Sequence, residues 1–102
     1  QTNKSTPYMA TDIIIHDKKD NVGVVVTEKI IPKQDCSCWI MENDTSKNIQ
    51  SIDEIPLGHK IAMVNLKEGD TILKYGHDIG KVVKSIRKGE HVHVHNVKTK
   101  KW

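Results

Sequence analysis

A glycine-centred spacing occurs three times between residues 55 and 92 and constrains the fold more than any other feature of the chain. In each copy, an aliphatic residue is followed by glycine three positions later and by a second aliphatic residue six positions later; the glycines are Gly58, Gly69 and Gly89. Glycine adopts positive φ without steric cost, so each copy predicts a strand end, a tight turn and the next strand. Three copies in so short a stretch predict a compact sheet that repeatedly doubles back.

The residue that follows each of these glycines is polar. His59, Asp70 and Glu90 occupy this position in the three copies. If the turns lie side by side, we expect these three side chains to gather at one edge of the sheet.

The apolar residues are mainly β-branched. The chain has 13 Ile and 10 Val but only 3 Leu and no Phe. β-branched side chains suit half-buried pleated surfaces, so we expect a mostly β fold with an aliphatic core. A length of 102 residues fits one domain. We place it at residues 12–97, between a flexible tail at 1–11 and a C-terminal tail at 98–102, and allow short helical turns around 61–66 or 81–86.

Three early segments read as strands. Residues 12–16, 22–26 and 36–41 are rich in Ile, Val, Cys and Trp, and polar residues 17–21 separate the first two as a turn. Gly23 lies inside the second segment, which indicates a bulge or a close approach of another backbone.

Charge, cysteine content and hydropathy exclude several functional classes. The net charge is only +3 and the lysines are scattered, so we expect no nucleic-acid partner. No run of 18 apolar residues is present, so we expect no membrane span. Cys36 and Cys38 are too close in sequence for an unstrained disulfide, which favours free thiols in a reducing, cytoplasmic compartment.

Two glycines that bracket residues 76–80 resemble a phosphate-binding loop only superficially. The segment Tyr75–Gly80 lacks the GxxxxGK[ST] pattern, so we interpret it as a tight β-turn. No GxSxG, HExxH or CxxC motif occurs anywhere in the chain. The sequence therefore contains no complete catalytic motif of these types.

The segment Gly89-Glu-His-Val-His-Val-His-Asn96 alternates polar and apolar residues with the period of a β-strand. A strand here would place His91, His93 and His95 on one face, about 6.5–7 Å apart at the Cα atoms, and bury both valines on the other. Imidazoles at this spacing can bind a metal ion or an anion. The alternative is an ordinary half-buried strand whose polar face happens to be histidine.

Four segments together resemble a known family. Asp20-Asn-Val-Gly-Val-Val25, Ile55-Pro-Leu-Gly-His-Lys-Ile-Ala62, Lys74-Tyr-Gly-His-Asp-Ile-Gly80 and the histidine segment occur in the order found in the SAF-type domain of the altronate/galactarate dehydratase family. The likeness covers roughly residues 12–101. The small subunit of sulfolactate sulfo-lyase is similar to the same domain.

The resemblance implies a β-clip fold and a part in a lyase that acts on sugar acids. In that family the domain is either the N-terminal part of a long dehydratase or a separate small subunit paired with a large one. We therefore expect a large dehydratase subunit as partner, a sugar-acid substrate, a divalent metal such as iron or manganese, and possible homo-oligomers. Elimination of water from altronate or galactarate is the first expectation, with sulfite elimination or a non-catalytic docking module as alternatives.

The chemistry of such an elimination suggests roles for specific residues. An α-proton of low acidity is removed, and a metal bound to the substrate carboxylate and hydroxyl stabilises the resulting charge. We expect His91, His93 and His95 as metal ligands, and His93 also as a catalytic group. His59 and Lys60 are expected to bind the substrate carboxylate and to assist catalysis, and Asn96 to contact substrate.

Overall fold

The computed structural model describes residues 11–99, and every regular element in that range is a β-strand. The eleven strands are β1 (Ile13–Ile15), β2 (Val22–Val25), β3 (Lys29–Ile30), β4 (Asp35–Ile40), β5 (Thr45–Gln50), β6 (Ile55–Pro56), β7 (Lys60–Ala62), β8 (Thr71–Lys74), β9 (His77–Val82), β10 (His91–Val92) and β11 (Val97–Thr99). The prediction of a mostly β domain is confirmed. Across these residues no helix is long and apolar enough to cross a membrane.

Most of the strands form one six-stranded sheet. Its order is β10-β7-β2-β1-β4-β5, in which β1 and β4 run parallel and the other neighbours antiparallel. A three-stranded sheet has the order β11-β9-β8, and β3 pairs with β6. β10, which is the last but one of the strands in residues 11–99, therefore lies at an edge of the main sheet beside β7.

The main sheet carries one hydrophobic core on each face. The first contains buried residues such as Ile13, Val25 and Ile61, together with the two cysteines. The second lies between the main sheet and the three-stranded sheet and includes Val22, Ala62, Ile72, Val82 and Val92. Strand alternation explains the division, because neighbours along a strand point to opposite faces.

Both cysteines are buried free thiols in β4. Burial is the main cause that raises the pKa of Cys36 to about 11 and that of Cys38 to about 12. The expectation of unpaired thiols is confirmed, and both act as small core residues.

All three glycine-centred copies form turns with the same backbone hydrogen bonds. The φ angles of Gly58, Gly69 and Gly89 are +84°, +93° and +94°, as predicted. In each copy the glycine N–H donates to the carbonyl of a residue on a neighbouring segment. The N–H of that same residue donates in return to the carbonyl of the residue after the glycine. The strand residues are Val25, Val82 and Ala62 in the order of the glycines.

The second and third copies are related by local two-fold symmetry. Leu66 and Ile86 form an isolated antiparallel bridge at its centre, where each N–H donates to the other's carbonyl at 2.8 and 2.9 Å. The segments 62–70 and 82–90 bond to each other reciprocally around this bridge. These are the segments in which we expected helical turns. The expectation is wrong, because their backbone bonds run across the symmetry axis instead of locally.

The ends of the described range extend the predicted domain slightly. Thr11 is buried, and β11 continues to Thr99, two residues past the predicted boundary at 97. The rest of the predicted tails, residues 1–10 and 100–102, lies outside the described residues. Gly23 is a close approach, as predicted, because a Cβ there would lie 2.4 Å from the side chain of Ile13.

Candidate functional site

The histidine segment is a strand for only two residues. β10 contains His91 and Val92, after which the chain turns, and the N–H groups of Asn96 and Val97 donate to the carbonyl of His93. Val92 is fully buried, whereas Val94 is 64% exposed. The prediction of one strand with both valines buried is therefore wrong beyond Val92.

Asn96 explains why the strand ends there. Its side chain accepts a hydrogen bond from the N–H of His93 at 3.0 Å and donates to the carbonyl of His91 at 2.8 Å. Asparagine side chains that bond to nearby backbone favour turns over strands. Asn96 is itself buried, so the structure places it beneath the turn. Its predicted contact with substrate stays a prediction.

The turn gathers the histidines more tightly than a strand would. His59, His91 and His93 each offer a ring nitrogen within 4.8 Å of the other two. Nδ1 of His59 lies 2.8 Å from Nε2 of His91, and the rings of His59 and His93 stack with centroids 4.3 Å apart. The sequence predicted His95 in this group and placed His59 elsewhere. The structure has His95 at the margin, where its ring contacts that of His91 with centroids 5.2 Å apart.

Two elements that are distant in sequence position these rings. The Gly58 turn leads directly into β7 and places His59 beside the edge strand β10. On β10, the N–H of His91 donates to the carboxylate of Asp53 at 2.9 Å. Of the polar residues that follow the repeated glycines, only His59 joins the cluster. The carboxylates of Asp70 and Glu90 instead accept from backbone N–H groups within their own turns.

The surroundings favour the neutral form of His91 and of His93. Burial, followed by the charges of His59, His95 and His93, lowers the pKa of His91, while Asp53 opposes the shift. Burial, then His59, Lys60 and His95, lowers the pKa of His93. Neutral imidazole is the form that binds metal ions.

The donor set fits a divalent metal. Imidazole nitrogens suit zinc, iron, nickel and copper better than they suit manganese, which prefers oxygen ligands. Ligand atoms at about 2.1 Å from a metal lie about 3–3.5 Å from one another, so a set within 4.8 Å needs only small ring movements. The three residues that fit are His59, His91 and His93. The described residues enclose no pocket around them, and all are half-buried at an open edge.

Lys60 lies at the same sheet edge, on the face that carries Val92 and opposite the face that carries His91. It begins β7, opposite Val24 on one side and Val92 on the other, and is half-buried. Burial, and then the charge of Lys74, lowers the pKa of Lys60. The charge of Lys60 is one of the causes that lower the pKa of His93. Its predicted pairing with a substrate carboxylate stays a prediction.

Sequence reasoning missed a second group of residues near Lys60. His16 stacks on Tyr75 with ring centroids 3.8 Å apart, and Nζ of Lys74 lies 5.3 Å from the Tyr75 centroid. Asp20 and the turn at Tyr75 both belong to segments that carry the family resemblance, which was the available signal. The N–H of Tyr75 donates to the carboxylate of Asp20 at 2.9 Å, and the two residues are 55 positions apart. Local spacing could not predict this contact.

Comparison with known proteins finds one matching family and relatives whose names describe lyases or lyase subunits. The model of the altronate/galactarate dehydratase SAF domain matches residues 11–100. The alpha subunit of (2R)-sulfolactate sulfo-lyase from Chromohalobacter salexigens is 51% identical over 94 residues, which cover 92% of this chain and all of that protein. The corresponding subunit from Paracoccus pantotrophus is 45% identical over 65 residues, or 64% of this chain and 97% of that protein. Altronate dehydratase from Bacillus subtilis is 52% identical over 52 residues, which are 51% of this chain but only 10% of the enzyme.

Proposed function

Because the chain belongs to the altronate/galactarate dehydratase SAF domain family, whose SAF-type β-clip fold it shares, we propose that it is the small subunit of a lyase that acts on a 2-hydroxy acid. Its relatives are lyase subunits or lyase segments, which supports a lyase role. The observation that carries the proposal is the cluster of His59, His91 and His93. It unites two of the segments that resemble the family at one edge of the sheet.

We propose sulfite elimination from a sulfolactate-like substrate as the leading reaction. The relative that this chain covers over its whole length is a sulfo-lyase subunit, whereas the match to altronate dehydratase spans a tenth of that enzyme. This reverses the order expected from sequence alone. Elimination of water from a sugar acid such as altronate or galactarate is the second candidate, supported by the 52% identity within the shared segment.

Both reactions share one chemical problem. The α-proton next to a carboxylate is only weakly acidic, so its removal requires stabilisation of the charge that develops on the carboxylate. A divalent metal held by His59, His91 and His93 would supply Lewis-acid stabilisation there. Lys60 would pair with the substrate carboxylate and orient it. The imidazole of His95, whose ring contacts that of His91 at the margin of the cluster, would accept or return a proton.

We propose that the active site is shared with a large subunit. The histidine cluster lies at an open edge, and a polar substrate of this size is usually held in a concave site that excludes water. The word alpha in the relatives' names implies a second subunit in those proteins. The free thiols agree with a cytoplasmic assembly. Self-association of the small subunit is compatible with this arrangement.

Co-expression with the large subunit tests this proposal. We expect the purified complex to release sulfite from sulfolactate, and altronate and galactarate test the second candidate in parallel. His59→Ala and His91→Ala should each remove at least 90% of the turnover, whereas His77→Ala, in the exposed β8–β9 hairpin, should not. Metal content measured by plasma emission spectrometry gives an independent readout. An active complex that retains full turnover and unchanged metal content in both cluster variants would overturn the assignment of the site.

A further inference from the structure

The second core covers only half of the main sheet on its side. Side chains alternate along strands, and residues paired across strands share a face. One row therefore crosses all six strands on this side: Val92, Lys60, Val24, Ile14, Trp39 and Ser46. The main-sheet residues of the second core come only from β2, β7 and β10, and they are Val22, Ala62 and Val92. Within residues 11–99, the part of this face on β1, β4 and β5 is therefore covered by neither core.

This uncovered face has the composition of a protein interface. It consists of Ile14 on β1, of Asp35, Ser37 and Trp39 on β4, and of Ser46, Asn48 and Gln50 on β5. Asp35 is its only charged residue, and Lys47 of β5 points to the other face, because its partner on β4 belongs to the first core. Nε1 of Trp39 donates to the carboxylate of Asp44 at 2.9 Å, which fixes the indole ring. Interface cores are likewise depleted in charged residues and enriched in Trp and Tyr.

Both large aromatic residues of the described chain lie at this surface. The sequence has no Phe, and residues 11–99 contain only Trp39 and Tyr75 as Trp or Tyr. Neither belongs to a hydrophobic core. Tyr75 stacks on His16 with ring centroids 3.8 Å apart and is still 54% exposed. Because His16 lies two residues after Ile14, it continues the same face of β1, so Tyr75 lies at the border of the uncovered face.

The backbone of Tyr75 is strained. Its φ is +56° and that of Gly76 is +73°, so the two-residue loop between β8 and β9 is a type I′ turn. Such turns favour asparagine at the first position, and a bulky side chain in the left-handed region costs about 1–2 kcal/mol. The carboxylate of Asp20 accepts from the N–H groups of Tyr75 and Gly76 at 2.9 and 2.8 Å and holds the turn. Strain retained at an exposed aromatic residue indicates a role for its ring at the surface.

The location of the uncovered face favours a second copy of the chain as its partner. Four strand spacings separate β4 from β10, which is about 19 Å. His91 also points to the opposite face, because it pairs with Ile61 of the first core. A large subunit that closes the proposed site at the β10 edge therefore leaves the uncovered face accessible. A two-fold axis near Trp39 would also place the two copies of Asp35 on opposite sides of the axis, so that like charges do not meet.

We infer that the uncovered face binds the same face of a second copy, with Trp39 and Tyr75 as the main contacts. This contact goes beyond the proposed lyase function and does not depend on it. The two sheets would pack face to face about 10 Å apart. Three strands and the six residues of β4 give a face of about 15 by 20 Å. Since a standard interface buries roughly 800 Å² per partner, we expect a weak dimer with a Kd on the order of 100 µM.

Sedimentation equilibrium of the purified full chain tests this inference. Between about 10 µM and about 1 mM, which bracket the expected Kd, the weight-average mass should rise from that of the monomer toward twice that value. Ser46→Glu introduces a carboxylate on the uncovered face and should weaken association at least tenfold, because the charge loses water in the contact. Thr45→Glu is the matched control, since this exposed neighbour on β5 points to the other face. A chain that stays monomeric at the highest concentration, or equal effects of the two variants, would overturn the inference.

Tyr75→Asn tests the tyrosine without endangering the fold. Asparagine suits this turn position, so the circular dichroism spectrum should be retained while association weakens at least fivefold. Tyr75→Phe keeps the ring and should associate like the wild type. If Tyr75→Asn associates as tightly as the wild type, Tyr75 is not a contact and that part of the inference is wrong.

Titration with the large subunit distinguishes the second copy from the other candidate partner. At concentrations where the chain is monomeric, Ser46→Glu should bind the large subunit in calorimetry as tightly as the wild type does. If the chain never dimerises and Ser46→Glu instead weakens binding of the large subunit, the uncovered face belongs to the large subunit and the inference fails. If the complex shows no turnover but the chain dimerises through Ser46 and Tyr75, the lyase proposal fails and the dimer contact stands.

Discussion

At the scale of single residues, Val92 and Val94 show how one turn separates two environments. They are two positions apart, yet Val92 is fully buried in the second core and Val94 is 64% exposed beside the histidines. Asn96 creates the difference, because its bonds to His91 and His93 turn the chain between the two valines. A strand would have placed them alike.

The two valines should therefore respond differently to the same truncation. Val92→Ala leaves a cavity in the core and should lower the free energy of unfolding by about 1–3 kcal/mol. Val94→Ala removes exposed methyl groups and should change it by less than about 0.5 kcal/mol. Urea unfolding followed by tryptophan fluorescence measures both. Similar losses in the two variants would mean that Val94 is buried after all.

The stability of the fold should fall in mildly acidic solution because of His91. Its pKa is lowered in the folded chain, from about 6.5 in the unfolded chain. Below pH 6.5 the unfolded state therefore binds more protons, so the free energy of unfolding rises with pH through this window and levels off above it. We expect a lower unfolding free energy at pH 5.5 than at pH 7.5.

Replacement of His91 isolates its share of this pH dependence. His91→Gln removes the titrating group, so the difference between the two pH values should be smaller than in the wild type. His77→Gln, outside the cluster, is the control and should retain the full difference. If the unfolding free energy of His91→Gln depends on pH as strongly as that of the wild type, the pH dependence comes from other groups.

At the scale of elements, the turns at Gly69 and Gly89 have the same backbone conformation but different surroundings. Gly69 and Gly89 have nearly identical φ angles, +93° and +94°, and equivalent places in the local two-fold symmetry. A Cβ at Gly69 would meet nothing within 4 Å, whereas one at Gly89 would lie 2.4 Å from the carbonyl oxygen of Gln50. The third turn therefore also packs against β5.

Alanine at these two glycines separates backbone strain from the contact with Gln50. Gly69→Ala should lower the free energy of unfolding by about 1–2 kcal/mol, the cost of a left-handed conformation. Gly89→Ala carries the same strain and must also displace the Gln50 carbonyl, so its loss should be larger. Thermal unfolding by circular dichroism measures both. Equal losses of unfolding free energy in the two variants would show that β5 moves away from the added methyl group without measurable cost.

Some features of the fold could be predicted from neighbouring residues in the sequence, and others could not. The strands at residues 12–16 and 22–26 and the turns at Gly58, Gly69 and Gly89 follow from alternation and from glycine alone. The end of β10 depends on one asparagine side chain, which alternation of His and Val concealed. His59 meets His91 because β7 pairs with β10, and Asp20 meets Tyr75 across the two sheets. Pairings of this range depend on the topology and not on neighbouring residues.

At the scale of the whole molecule, the residues of the proposed site lie at an edge of the domain and not within it. The two cores occupy the faces of the main sheet, and the histidines lie at its β10 edge. The described residues enclose no pocket. This placement supports the proposal that a large subunit completes the site.

The isolated chain should accordingly show no turnover. We expect no sulfite release from sulfolactate by the purified chain, even with added divalent metal, and activity only after the large subunit is added. Release of sulfite is measured with a thiol-exchange dye. Metal binding by the isolated chain is the matched control, because all three proposed ligands belong to this chain. Turnover by the chain alone would show that the small subunit contains a complete site.

Chemical labelling of the two buried cysteines, Cys36 and Cys38, can report on opening of the fold. With pKa values of about 11 and 12, fewer than about one thiol in a thousand is ionised at neutral pH, and thiolate is the form that alkylating reagents attack. Iodoacetamide should therefore label Cys36 and Cys38 only in molecules whose first core has opened. The rate of labelling in dilute reagent then measures how often β4 opens in the native protein. The decrease in this rate when the large subunit is added measures how much assembly suppresses the opening.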